Sequence, residues 1–450
     1  MDTLSRYMAD ARERPLPDEV IEHAKHHVLD TVAAMVSGAK LPPGHAALRF
    51  AATQTPGGAA TVIGADFTLD PSDAALVNGT LAHADETDDS HGPSQSHPGA
   101  AIVPAALALG ESVGIDGARF LRAVTLGYDV GTRLTMALGG VTFRNESRRS
   151  THAFAGTFGA AAAAACAADL DVRAMRWLLD YTSQQTSGYA VWGRDTEHVE
   201  KAFVFGGMPA RAGVTAAELV SAGWSGVDDV FSGEDNFFAV NAPSGDAALL
   251  VDALGRRYEI GNTDIKKWSV GTPIQAPLDA LELLRRQRPF DAEDVTEVVV
   301  RLAPTVGAVV DDRDIPDICL QHMVAIMLLD GTASFAAAHD AARMRNPAVL
   351  RERGKVRYLA DPELATLLPA RVAIVELTLR DGTRMRERVE AVRGTVRNRM
   401  DGDEVVAKAR DLIEPVLGGA SSSRLIENIL ALEESSDIRP LRALLQGRPR

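Results

Sequence analysis

From Pro17 to about Ser37, apolar residues recur at Val20, Ala24, Val28, Leu29 and Val32, the three-and-four spacing that turns one face of a helix inward. The same rhythm predicts helices over roughly 43–53, 71–84, 100–112, 117–137, 153–167, 172–187 and 207–222, with Thr61-Val-Ile-Gly64 as a short extended interruption. Past Asn262 the rhythm shortens. Val295-Thr-Glu-Val-Val-Val-Arg-Leu302 alternates and is β-branched, as strands are. Val372–Leu379 and Arg384–Val389 read as a hairpin closed on Asp381-Gly382, while His322–Gly331 and Thr332–Ala342 read as helices. Asp401-Gly-Asp-Glu404 has the spacing of a capping box ahead of the helix Val405–Ile413. The pattern therefore predicts a mostly α chain: a helical domain over 1–262, an α+β module over 263–398, and C-terminal helices over 399–450.

Composition narrows the class. A chain of 450 residues can bury a large core and form two domains. Apolar residues make up 46 % but aromatics only 5 %, so the core must be built from closely approaching Ala-, Val- and Leu-rich helices. The net charge of −14 argues against a nucleic-acid partner, yet leaves room for an anionic substrate held by a few local cations. The two cysteines, Cys166 and Cys319, sit in apolar helical context and read as buried thiols of a cytoplasmic protein. The N-terminus has no apolar signal region, and no stretch reaches membrane-spanning length without Gly, Pro or polar residues, so no membrane partner is expected.

The chemistry concentrates in His83-Ala-Asp-Glu-Thr-Asp-Asp-Ser-His-Gly-Pro-Ser-Gln-Ser-His97-Pro-Gly99. So many polar groups between two apolar helices are costly to bury unless they are fully hydrogen-bonded or do chemistry. Pro98 biases His97 out of the helical region, so His97 falls at the start of the helix that follows. Ser150-Thr151-His152 repeats the arrangement ahead of an Ala- and Gly-rich helix. Helix N-termini favour anions and disfavour an imidazolium, so both histidines tend to be neutral and able to accept a proton. Either one alone also reads as a core or capping histidine. His91 reads as an exposed loop histidine.

These residues resemble the MmgE/PrpD family, which includes 2-methylcitrate dehydratase, cis-aconitate decarboxylase and iminodisuccinate epimerase. The resemblance runs along nearly the whole chain: Ala74-Ala-Leu-Val-Asn-Gly79 into His83, Asp88-Asp-Ser90, His97-Pro-Gly99, Gly127-Tyr-Asp-Val-Gly-Thr-Arg133, Thr151-His152, Lys201 before a Gly-rich helix start, Leu329-Asp-Gly331 and Arg397-Asn-Arg-Met400. Each fragment is weak; their order and spacing together are specific. The resemblance implies a large all-helical domain made from the N-terminal part and the C-terminal tail, with a smaller α+β lid domain inserted. It also implies a homodimer that uses no metal and no organic cofactor.

It further implies chemistry beside a substrate carboxylate, which needs a base, an acid and cations or N–H donors. His97, His152 and Lys201 match the family's active-site histidines and lysine. Glu86 falls where aspartate is common, Ser90 where threonine is, and Lys266 at a second lysine, with Lys267 as its rival. Two departures stand out: Gln275 takes a usual histidine position, and His322 stands where a tyrosine is common, although it reads equally as a core helix residue. Asp88 and Asp89 read as residues that orient histidines or cap the turn. His91 and His97 with Glu86 or Asp88 form only a weak metal pattern, since no His-Glu-x-x-His or cysteine pair supports it. The expected activity is a cofactor-independent hydro-lyase acting on a small di- or tricarboxylate of the 2-methylcitrate type. An epimerase or isomerase of an iminodisuccinate-like dicarboxylate, a cis-aconitate-type decarboxylase and a non-catalytic carboxylate-binding paralogue remain open.

Overall fold

A computed structural model describes residues 1–242 and 244–446. The chain forms two compact units, one from Met1–Asp264 together with the chain from Val405 onward, the other from Ile265–Glu404. No described helix is long and apolar enough to cross a membrane.

The first unit is helical. Its main elements are α1 (Asp18–Gly38), α2 (Pro71–Ala82), α3 (Gly99–Val113), α4 (Gly117–Leu138), α5 (Thr151–Ala167) and α6 (Met208–Ser221). Every residue of α5 is buried, and α3, α4 and α6 pack around it. Its Ala- and Gly-rich sequence is what permits this, because small residues let the backbones close up. A methyl group on Gly131 of α4 would stand 2.2 Å from the Ala155 carbonyl oxygen, so even alanine there would push the pair apart. The extended piece near residue 61 is a two-residue strand, Ala60–Thr61, paired with Thr68–Leu69.

The chain returns to this unit through α9 (Gly402–Leu417) and α10 (Gly419–Leu430), named after two helices of the second unit described next. The Asp401 carboxylate accepts the Glu404 N–H, and Glu404 accepts the Asp401 N–H, which is the capping box read from the sequence. From α9, Lys408 reaches Asp30 of α1 at 2.5 Å and donates to the Thr87 carbonyl at 2.9 Å. One buried ammonium thus ties the tail to both the helix Asp18–Gly38 and the polar loop.

In the second unit β1 (Val295–Leu302), β2 (Val356–Ala360), β3 (Ala373–Leu379) and β4 (Arg384–Val389) form one sheet in the order β2-β1-β3-β4. β1 runs parallel to β2 and antiparallel to β3, and β3 pairs antiparallel with β4. The helices α7 (Thr272–Gln287) and α8 (Leu320–Asp330) supply its core with the sheet. The hairpin turns at Gly382, whose φ of 85° suits glycine. Two expectations are corrected. Residues 332–342 hold only the short helix Phe335–Ala338, because the Asp340 carboxylate captures the Ala342 and Arg343 N–H groups and turns the chain. The strand β2 was absent from the sequence reading; its Val-Arg-Tyr-Leu-Ala is short and only half-buried.

Candidate functional site

Two backbones that nearly touch set up the site. A methyl group on Gly206 would lie 1.9 Å from the Gly79 carbonyl oxygen, and one on Gly79 would lie 2.5 Å from that of Gly206. The approach brings the end of α2 against Phe203–Gly207, a single π-helical turn, a helix defect common at functional sites. His83 follows directly after α2. The Phe205 ring stacks on His152 at 3.6 Å and on His83 at 4.4 Å, between ring centroids. His97 lies 5.0 Å from His83 and 5.2 Å from His152. The two helix starts therefore converge.

The loop between α2 and α3 is buried and internally braced. The Asp88 carboxylate, itself inaccessible, accepts from His83 Nδ1 at 2.8 Å and stands 3.2 Å from His97 Nδ1. An ionised carboxylate only accepts, so it holds the His83 proton on Nδ1 and leaves its Nε2 with a lone pair, and its charge favours the same tautomer of His97. Asp89 performs the anchoring: it accepts from the Gly99 N–H, His27 Nδ1 at 2.9 Å and the Tyr128 hydroxyl. Thr151 donates to the Gln95 carbonyl at 2.6 Å and so ties the start of α5 to the loop. The expectation of an exposed His91 is corrected: the residue is only 1 % accessible. Its Nδ1 bonds the nearby Ser94 Oγ at 2.8 Å, and its Nε2 stands 3.5 Å from Glu259, a carboxylate far along the chain that no local pattern reveals.

Lys201 pairs with Glu86. Its ammonium lies 5.3 Å from the Phe205 ring centroid and 5.7 Å from that of Trp192, and the Asp195 carboxylate accepts its backbone N–H at 2.9 Å. The structure thus gathers His97, His152, Lys201 and Glu86 in one cluster. Ser90 lies on the same loop, its backbone N–H and C=O both paired with Asp264. Lys266 and His322 belong to the second unit.

Three groups of the cluster were not singled out from sequence. His83 ends the helix, Trp192 sits in a short 3-10 turn, and His198 takes a left-handed backbone (φ 64°) three residues before Lys201. Only the nearness of His198 to the lysine could have marked it. Its ring is 5.2 Å from that of His83. His83 Nε2, His152 Nδ1, His198 Nε2 and Trp192 Nε1 are buried and have no hydrogen-bond partner among the described residues.

Burial sets the charges. Desolvation, with His97 and His83 adding to it, holds His152 well below the ordinary 6.5, and desolvation with the Lys201 charge brings His198 to about 3. Desolvation also lowers His83, against the pull of Asp88. Burial pushes Asp88 up, but His83 and His97 outweigh it and hold the carboxyl well below 3.8. The result is a set of neutral imidazoles around one fixed carboxylate.

In the second unit, Lys266 is 4 % accessible, while its rival Lys267 is spent on Glu282 at 2.6 Å and on the Trp268 ring. Gln275 is also spent: its amide donates to the Trp268 and Val270 carbonyls and accepts the Trp268 N–H, so it shapes the turn after Lys266. His322 is fully buried, both ring nitrogens lack a partner among the described residues, and desolvation lowers it to about 4.

Known proteins match most of the chain. Residues 2–249 match the MmgE/PrpD N-terminal domain and residues 268–434 the MmgE/PrpD C-terminal domain. A cis-aconitate decarboxylase-like protein of Aspergillus oryzae is 24 % identical, over 99 % of this chain and 96 % of its own length. The cis-aconitate decarboxylase of Aspergillus terreus is 25 % identical over 96 % of this chain and 92 % of its own, and that of Homo sapiens 25 % over 96 % and 91 %. This chain belongs to the MmgE/PrpD family.

Proposed function

We propose that the protein is a lyase acting on a small di- or tricarboxylate without a cofactor, by proton transfer at the carbon beside a carboxylate. The observation that carries the reading is the cluster itself: His97 and a neutral His152 side by side, with Lys201 and a Trp192 N–H that has no partner among the described residues against the same Phe205 ring. His97, its Nδ1 proton turned to Asp88, offers Nε2 as a base. His152, kept neutral by burial, is the second proton carrier. Lys201 and Trp192 Nε1 hold carboxylate oxygens, so that charge developing on the substrate carbon is stabilised in a partly desolvated site. Glu86 positions Lys201, and Ser90 is assigned a substrate contact. Lys266 is proposed as a second carboxylate-holding cation and His322 as a hydrogen-bond partner, both from the unit for which the resemblance implies a lid.

Histidines held neutral suit proton abstraction, which favours dehydration of a 2-methylcitrate-like substrate, with epimerisation as its close relative. The second reading, decarboxylation of a cis-aconitate-like substrate, is favoured by the names of the relatives. A cytoplasmic homodimer completes the proposal. Proton NMR in D2O with citrate, 2-methylcitrate, cis-aconitate, malate and iminodisuccinate separates the readings, with His152→Ala as control. New vinyl signals from a hydroxy acid support dehydration, and replacement of the cis-aconitate signals by those of a product with one carboxylate fewer supports decarboxylation. Deuterium exchange without a new product supports epimerisation. Silence of the wild type across the panel would remove the lyase reading.

A further inference from the structure

We propose that His83, Glu86 and His198 form a binding site for a divalent transition-metal ion of the zinc type, which competes with Lys201 for the Glu86 carboxylate. One ligand atom from each of the three residues lies within 4.8 Å of the other two. His83 and His198 each present a buried Nε2 that no described residue satisfies. A buried lone pair without a donor is costly, and for His83 the tautomer is already decided. Asp88 holds the Nδ1 proton at 2.8 Å, so Nε2 can only accept, and a substrate carboxylate, itself an acceptor, cannot pair with it. A carboxylate behind a histidine whose outer nitrogen is bare is the arrangement that orients histidine ligands toward a metal.

The donor set selects the ion. Two imidazoles and one carboxylate suit zinc, cobalt, nickel or copper rather than magnesium or calcium, which take oxygen ligands. Ligands about 2.0–2.1 Å from a tetrahedral ion sit roughly 3.3 Å apart, so the three groups must turn inward from their present span. Neither histidine gives up an Nε2 hydrogen bond in doing so. The groups facing this point are Lys201, Asp85, Glu86, Asp88 and His97. Of these Lys201 is the fixed cation, and it opposes the ion by charge as well as by holding Glu86. In the other close group, His83, Asp88 and His97, His83 Nδ1 is already bonded to Asp88 at 2.8 Å, whereas toward Glu86 and His198 it offers its open Nε2. If Lys201 holds substrate as proposed above, an ion that takes Glu86 from it inhibits turnover; the binding itself does not depend on that reading.

The test is equilibrium dialysis of untagged protein against Co2+, followed by displacement with Zn2+. The wild type should retain about one Co2+ per chain, with the visible absorption of a tetrahedral ion, and release it to zinc. His198→Asn removes the ligand while keeping the left-handed backbone that asparagine tolerates, and His198→Gln keeps a polar side chain; both should lose stoichiometric binding. Lys201→Gln should bind cobalt more tightly than the wild type, because it removes the ion pair that holds Glu86 and the opposing charge. No retention by the wild type, equal retention by both His198 variants, or weaker binding by Lys201→Gln would each overturn the proposal. None of these readings requires turnover, so they stand apart from the fate of the lyase assignment.

Discussion

Replacing Asp88 by asparagine is the sharpest perturbation of the cluster, because shape is kept and only charge and one acceptor are lost. The carboxylate now serves His83 Nδ1 at 2.8 Å and His97 Nδ1 at 3.2 Å. An asparagine has one acceptor oxygen and an NH2 group, which faces the other histidine with a donor. That histidine must move its proton to Nε2, and its outward lone pair disappears. His97 is the looser partner, so it is the one expected to change tautomer. Losing one charge-assisted hydrogen bond costs about 1.5–3 kcal/mol, and at about 1.4 kcal/mol per decade this corresponds to roughly 10–150-fold in kcat. KM should move far less, since Lys201 is untouched.

The same change has a signature in stability. The Asp88 carboxyl is held well below 3.8 by His83 and His97 despite its burial, so its ionised form stabilises the fold. That contribution is present above about pH 4 and is lost as pH falls through the folded value. Asp88→Asn should therefore be less stable at neutral pH and lose that part of its acid dependence. The assays are kcat and KM on the substrate that turns over, 15N NMR of the histidine tautomers, and urea unfolding at several pH values. If kcat stays within twofold while His83 and His97 keep the wild-type tautomers, the reasoning from Asp88 is refuted.

Lys408→Met leaves Asp30 buried without its counter-charge, and urea unfolding should show a loss of about 3–5 kcal/mol, partly restored by adding Asp30→Asn. Gly206→Ala puts a methyl group 1.9 Å from the Gly79 oxygen; thermal unfolding should report about 1–3 kcal/mol lost, with activity falling further because Phe205 and Lys201 move with the turn. For Gln275→His, which introduces the residue the resemblance leads one to expect there, the three bonds to the Trp268–Val270 backbone cannot all be kept, so stability should drop by about 1–3 kcal/mol with no gain in turnover. Because burial holds His152 well below 6.5, its neutral form stabilises the fold above about pH 6.5 and that contribution fades as pH falls. The acid limb of kcat/KM governed by it should accordingly lie below 6.5, and a limb at or above 6.5 would contradict the assignment.

How far the sequence could be read follows from the range over which each feature is determined. The helices around α5 and the strands β1, β3 and β4 are written in local periodicity, and a long run of alanine and glycine announces close packing before any partner is known. His97 and His152 were legible because a proline and a Ser-Thr pair fix their places at helix starts, a local effect. What escaped was decided across the fold. His83 becomes part of the cluster because Gly79 meets Gly206, 127 positions apart by number, and neither glycine says so alone. His198 owes its place to one left-handed residue before a four-residue helix, too short to leave a periodic trace. His91 looked like a loop histidine since its partner Glu259 lies far downstream. Gln275 looked like a departure at a recognition position, yet its amide is consumed by backbone carbonyls. A substitution at a family position therefore signals altered chemistry only when the new side chain has bonding capacity left over; Gln275 has spent both amide hydrogens and its oxygen on the turn, whereas His322, buried with neither nitrogen partnered among the described residues, has not.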